Sequence, residues 1–153
     1  MTGAASVVLY WLPLGAGGRS VRFNGCVFEA CAAPREGRAV RDLYHFALEV
    51  RLDGGRFVIE MTPAWGNGAA DRGVVCEGPV SLRCLGRFAT FRYEVRRWRA
   101  GVIPDVGAAV AGPRRIGYDA GRARRLLELV PQVPALTWGR DELHTGQSGT
   151  RTR

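Results

Sequence analysis

The stretch LYHFALEVRLDGGRFVIEMTP, residues 43–63, decides the fold class of this chain. Apolar and polar residues alternate on both sides of its centre, and alternation with a period of two is typical of half-buried strands. Asp53-Gly54-Gly55-Arg56 predicts the turn, because two glycines supply the positive φ angles of a tight connection. If the two glycines form the loop, the strands make an antiparallel hairpin in which Glu49 faces Glu60.

The alternation divides the side chains of this hairpin between two faces. The predicted core face carries Phe46, Leu48, Val50, Leu52, Phe57, Ile59 and Met61. The opposite, polar face carries His45, Glu49, Arg51, Arg56, Glu60 and Thr62 and is predicted to be solvated. A single histidine on such a face is more often a surface residue than a catalytic one, and the pattern alone leaves both interpretations open.

Other segments supply further parts of a sheet. SVVLYWLP, residues 6–13, is β-branched and aromatic and predicts a buried first strand that a proline ends. GAGGRS, residues 15–20, lacks the Lys-Ser/Thr of a phosphate loop and is predicted to connect to a second strand, VRFNGCVFEAC. RFATFRYEVRRWR, residues 87–99, alternates again and predicts a half-exposed strand with Arg92 and Arg96 on its solvated face.

One segment has the pattern of a helix. An apolar helical stripe that ends before Pro131 is formed by Ala123, Leu126, Leu127 and Val130. Asp119 precedes the stripe and can cap the helix, since its carboxylate can accept from the free amides of the first turn. Residues 101–117, before this helix, are expected to be mostly irregular.

Together these segments predict an α+β protein with a mostly antiparallel sheet and at least one packed helix. The 153 residues are too few for two domains, so residues 1–146 are interpreted as one domain. The final SGTRTR contains no apolar residue and no periodicity, and residues 147–153 are predicted to be disordered.

The net charge of +8 would ordinarily indicate nucleic acid or another anionic partner. All 22 basic residues are arginine, however, and a chain without lysine is typical of GC-rich codon usage. A nucleic-acid-binding or regulatory role is therefore kept as the alternative to an enzyme origin. Its candidate residues are Arg92, Arg96, Arg97, Arg99, Arg114 and Arg115.

The spacing of the cysteines does not favour a metal site. A zinc site built with His45 and His144 would be off-pattern for the four thiols, which are Cys26, Cys31, Cys76 and Cys84. We expect buried, reduced thiols and neither a metal nor another cofactor. The apolar residues 7–14 are too few to span a bilayer and follow no basic residue, so no membrane contact and a cytoplasmic location are the default expectations.

The order of three segments resembles that of a known group of proteins. YHFALEVRLDGGRFVIEMTPAWG, then FRYEVRRWRAGVIPD, then RRLLELVPQVPALTWGRDEL resemble an uncharacterised bacterial family associated with circularly permuted papain-like proteins. The wider superfamily includes NlpC-type peptidases and lecithin:retinol acyltransferase-like proteins. The resemblance covers residues 9–146 and implies an incomplete papain-like fold with hydrolase or acyltransferase ancestry.

The resemblance also implies a site. In permuted members a strand histidine comes first, which makes His45 the general base and Glu60 the orienting residue of an acyl-transfer reaction. The family continues after WGRDELHTG with WNSNS and an apolar helix, where the superfamily places its nucleophile. Here the chain ends SGTRTR, and one encoding of those residues gives WNSNS in a shifted frame. We therefore expect a truncated or frameshifted product without hydrolase activity in this form.

Overall fold

The computed structural model describes residues 5–15, 19–64 and 73–138. In this part of the chain, six strands form one antiparallel sheet in the order β4-β5-β3-β2-β1-β6. The strands are β1 Ser6–Pro13, β2 Tyr44–Leu52, β3 Gly55–Pro63, β4 Val74–Pro79, β5 Arg92–Arg99 and β6 Arg114–Gly117. The helices are α1 Arg19–Arg35 and α2 Ala120–Leu129. The predicted α+β class is confirmed.

The hairpin of β2 and β3 forms, but with a different loop. Leu52 pairs with Gly55, so the connection consists of Asp53 and Gly54 and the predicted loop of two glycines is wrong. Gly55 has a φ of +126°, which L side chains rarely adopt. The second glycine is therefore needed at the first position of β3 instead of inside the loop.

The observed register separates two carboxylates. Glu60 pairs with Ala47 instead of Glu49, and like charges directly opposite each other on a sheet are destabilising. Glu49 instead accepts a hydrogen bond from Arg56 at 3.1 Å. The register differs from the predicted one by an even number of residues, so each side chain keeps its predicted face.

The segment predicted as a second strand is the helix α1. Its inward side, which is at least partly buried, carries Val21, Asn24, Gly25, Phe28, Glu29, Ala32 and Ala33. On the outward side Phe23 and Val27 are 67% and 47% exposed. Apolar residues on both sides remove the stripe that ordinarily indicates a helix, and alternating valine and phenylalanine imitate a strand.

The structure confirms α2 and its cap. The Asp119 carboxylate accepts from the backbone N–H of Arg122 at 2.6 Å. Ala123 is buried and belongs to a core cluster with Val50 and Ile59, whose side chains lie on the predicted core face of the hairpin. The helix therefore covers that face of the sheet.

Two other segments differ from their predicted structure. Residues 83–87 and 89–91 form short 3₁₀ helices, so the strand predicted over residues 87–99 begins only at Arg92. Residues 101–117 are not wholly irregular, since β6 pairs with β1 at the edge of the sheet. A strand of four residues is too short to show an alternating pattern, which explains why β6 was missed.

The polar face of the hairpin is covered, so the prediction of a solvated face is wrong. Ile103, from the segment after β5, packs against Leu12, Ala47 and Val58 in a second core cluster. The carboxylate residues Glu49 and Glu60 are 5% and 4% exposed. Both faces of the central strands are therefore covered by other segments of the chain.

The thiols differ in part from the prediction. All four cysteines are free, but Cys26, Cys31 and Cys84 are exposed, so the prediction of buried thiols is wrong for them. In the described ranges, neither helix has the length and apolar character needed to cross a membrane. His144 and the predicted disordered tail, residues 147–153, lie outside the described residues.

Candidate functional site: a cavity beneath α1

A cavity of about 590 Å³ lies between α1 and one end of the sheet. The chain reaches α1 from the end of β1 and leaves it for the start of β2. Because β1 and β2 are antiparallel neighbours, both connections lie at the same end of the sheet, and α1 must lie there too. The other walls come from residues 44–46, 61–63, 80–82 and 90–93.

A close contact holds α1 near the sheet at its middle. A Cβ atom at Gly25 would lie only 2.7 Å from Leu14 Cδ2, so a larger residue here would have to displace the Leu14 side chain. Phe28, one turn later, has its ring centroid 5.2 Å from that of Trp138. Trp138 in turn donates its backbone N–H to the Pro79 carbonyl at 2.9 Å, which joins this wall to the end of β4.

A buried carboxylate fixes the second half of α1. Glu29 is 2% exposed and forms an ion pair with Arg38. It also accepts from the backbone N–H of Arg41 at 2.8 Å. The hydrogen bond from Arg38 is the main reason that the pKa of Glu29 lies below its ordinary value, so the ion pair is present at neutral pH.

The lining of the cavity is mostly apolar and carries positive charge. Its large apolar side chains are Val21, Phe28, Phe46, Met61, Phe91 and Trp138. The charged residues of the described lining are Arg35 and Arg92, with no aspartate or glutamate among them. Such a surface is suited to an uncharged or anionic molecule with an apolar body.

Two buried side-chain nitrogens at this cavity have no hydrogen-bond partner within the described chain. They are Nδ1 of His45 and Nε of Arg92, and both residues line the cavity. Nη1 of Arg92 lies 3.5 Å from a Glu77 carboxylate oxygen, so that ion pair leaves Nε unused. Buried polar atoms are nearly always paired, so the coincidence of both exceptions at one cavity identifies it as the candidate site.

The structure places His45, the predicted base, next to the edge of this cavity. It lies opposite Leu12 of β1 and is half-buried. Burial lowers the pKa of its imidazole below 6.5, and the nearby charge of Asp105 opposes that change only in part. The neutral imidazole is therefore the form present at neutral pH.

Glu60, the predicted orienting residue, lies on the same face as His45 and pairs with Ala47, two residues further along β2. Its carboxylate is 3.5 Å from Nη1 of Arg96. Burial raises the pKa of Glu60, while Arg96 lowers it by a smaller amount. Since Nδ1 of His45 has no partner in the described chain, Glu60 does not orient it through that nitrogen.

Cys31 is the residue of this cavity that the sequence analysis missed. It lies on α1 and lines the cavity together with His45, and its segment was expected to be a strand. It lies in the last turns of α1, at the opposite end of the helix from the start. It therefore does not supply the nucleophile at a helix start that the papain-like resemblance implies.

The arginines proposed for nucleic-acid contact are mostly engaged within the chain. Arg96 is buried against Glu60 and Glu94. Arg97 donates to the Leu127 carbonyl at 2.9 Å, and Arg99 donates to the Gly54 carbonyl at 3.0 Å. The described part of β5 is thus an interior strand of the sheet and does not present an open arginine surface.

Comparison with known proteins adds no further constraint on the site. No protein-family model, no curated protein and no solved structure matches this chain. Within the described ranges, no three His, Cys, Asp or Glu side chains are grouped so as to hold a metal ion. The cavity and its lining are therefore the features that bear on function.

Proposed function

We propose that this protein binds a small molecule with an apolar body in the cavity between α1 and the sheet. The observation that carries the proposal is the cavity itself, whose volume of about 590 Å³ is lined mainly by aromatic and aliphatic side chains. Ligand sites are ordinarily concave, mostly apolar and between about 300 and 1,000 Å³. Transfer of apolar surface from water into the cavity supplies the main driving force, roughly 25 cal/mol per Å².

A binding role is favoured over acyl transfer by the contacts of His45. The papain-like ancestry, the hydrolase or acyltransferase origin and the cytoplasmic location stay predictions. Acyl transfer requires a nucleophile hydrogen-bonded to the base and a third group that orients the base. Nδ1 of His45 has no such partner in the described chain. We expect that any esterase or amidase turnover of the native protein will be unchanged in the His45→Ala variant.

The nucleic-acid alternative receives less support. It requires exposed arginines on one surface, whereas Arg96, Arg97 and Arg99 contact groups of the protein itself. A salt titration of binding to random duplex DNA tests it directly. Binding that falls steeply with salt would support this alternative over the cavity, and no binding at low salt would remove it.

The binding proposal is tested with a neutral, solvent-sensitive dye such as Nile red. The dye is expected to gain fluorescence with the protein, because an apolar site excludes water. Ala32→Trp should abolish the gain, since Ala32 lines the cavity and an indole would occupy its volume. The matched control is Ala30→Trp, two residues away on the exposed side of α1, which should leave dye binding unchanged.

Two results would overturn the proposal. One is the absence of dye binding to the native protein, and the other is equal dye binding by the two tryptophan variants. Leu82→Trp provides a second obstruction on the opposite wall, where the side chain is already 38% exposed, if Ala32→Trp does not fold. Circular dichroism melting checks that each variant retains the native structure.

A further inference from the structure

The two unpartnered nitrogens define what the polar end of the ligand must offer. Resting on the binding function proposed above, we infer that the cavity takes an amphiphile with a single carboxylate, such as a fatty acid, whose oxygens accept hydrogen bonds from Nε of Arg92 and Nδ1 of His45. Both residues line the cavity, and both nitrogens are buried without a partner in the described chain.

Arg92 has a buried donor that needs an acceptor. A guanidinium nitrogen can only donate, so its Nε–H needs an acceptor, and leaving it buried without one is unfavourable. Its ion pair with Glu77 uses a different nitrogen, Nη1, at 3.5 Å. No oxygen of the described chain accepts from this nitrogen, and the described lining contains no acidic side chain, so the carboxylate of a ligand can supply the acceptor.

His45 and Arg92 are both at the end of the sheet that borders the cavity. β3 lies between β2 and β5, and the registers place Thr62 of β3 opposite Glu94, two residues from Arg92. Extending the β2–β3 register from Ala47 and Glu60 brings His45 opposite the same Thr62. His45 and Arg92 therefore lie on the same face and at the same end of the sheet, with Arg92 two strands away and two residues closer to that end.

The imidazole of His45 can serve this carboxylate in its neutral form. A neutral imidazole carries its proton on either ring nitrogen, so Nδ1–H is an available donor. The charged carboxylate makes each bond charge-assisted, which is stronger than a bond to a neutral hydroxyl. A fatty alcohol of the same length would fill the apolar part equally and gain less at the polar end.

The ligand class is tested by displacing the neutral dye with laurate, dodecanol and dodecylammonium. The three share one apolar chain and differ in the head group. Laurate is expected to displace the dye at a concentration about tenfold or more below that of dodecanol, in keeping with one or two charge-assisted hydrogen bonds. Dodecylammonium, which presents a cation to Arg35 and Arg92, should be the weakest.

Variants assign the preference to the two nitrogens. Arg92→Gln should reduce laurate affinity to near that of dodecanol while dodecanol is unaffected, and His45→Phe should give a smaller loss of the same kind. Glu77→Gln, which removes only the ion pair of Arg92, should keep the laurate preference. In nitrogen-edited spectra, the His45 ring signals should shift on adding laurate and not on adding dodecanol.

The outcomes separate this inference from the binding function. If the dye binds in the cavity and laurate and dodecanol displace it equally, the carboxylate inference is wrong and the binding function stands. The same holds if Arg92→Gln keeps the preference. If no dye binds to the native protein, the binding function fails and the inference fails with it. The comparison of head groups on native protein remains decisive if Arg92→Gln does not fold.

Discussion

Arg96 of β5 lies directly opposite Glu60 of β3, and its guanidinium contacts the carboxylates of both Glu60 and Glu94. All three are buried, with 11%, 4% and 0% of their side chains exposed. Removing one partner from such a group leaves charge without compensation in a region of low polarity. Arg96 is therefore the cation that compensates the buried charges of Glu60 and Glu94 on this face of the sheet.

Arg96→Met should be strongly destabilising. It leaves two buried carboxylates facing an apolar side chain, and the loss of unfolding free energy is expected to be roughly 3–5 kcal/mol. Urea denaturation at neutral pH measures it. Arg124→Met on the exposed side of α2 is the control and should change stability by less than about 0.5 kcal/mol. A similar small change at Arg96 would contradict the role given to this ion group.

Glu60→Gln should change the dependence of stability on pH. Burial raises the pKa of Glu60 above 4.5, so the folded state binds a proton more tightly than the unfolded state. The contribution of Glu60 to stability is therefore greatest below pH 4.5 and decreases as pH rises through the folded pKa. Relative to native protein, the variant should gain stability as pH rises through this interval, which thermal melts at a series of pH values would detect. A difference that is independent of pH would argue against the raised pKa.

His45→Gln should flatten the stability profile on the acid side of neutrality. Burial lowers the pKa of His45, so the unfolded state binds the proton more tightly and native stability falls as pH decreases below about 6.5. Asp105 opposes this effect, and Glu60 on the same face also titrates, with a pKa that burial raises. Parallel measurements on Glu60→Gln and on the double variant separate the two groups. His144→Gln shows the effect of removing the other histidine.

Asp119→Ala should weaken α2. The carboxylate accepts from the backbone N–H of Arg122 at 2.6 Å, and loss of such a cap ordinarily lowers stability by about 1 kcal/mol. Asp119→Asn retains an acceptor at the same position and should remain within a few tenths of a kcal/mol of native protein. Urea denaturation of both variants provides the comparison, and equal losses would mean that charge rather than the cap is responsible.

The parts of the fold that the sequence predicted are those fixed by local chemistry. The alternation in β2 and β3 assigned each side chain to the correct face, even though the loop was misplaced, because an even shift in register preserves the faces. Asp119 and the stripe beginning at Ala123 predicted α2, because both the cap and the spacing act within one segment.

The parts that were missed depend on distant contacts. α1 has phenylalanine and valine on its exposed side as well as on its inward side, so no apolar stripe identifies it as a helix. Small residues belong on the buried side because Leu14 approaches Gly25 closely, and that approach is set by how the chain leaves β1. No local pattern reports it.

The candidate site also has a part that the sequence predicted and a part that depends on distant contacts. The sequence identified His45 and Glu60 as polar residues of one face of the hairpin, but it could not show that Ile103 covers that face, nor that Arg96 would pair with Glu60. The sequence by itself determined a hairpin, its two faces and one capped helix, since these follow from repeat and turn chemistry. Only the tertiary structure decided that a cavity lies beneath α1 and that His45 and Arg92, which line it, each have a buried nitrogen without a partner in the described chain, because burial depends on which distant segments pack together.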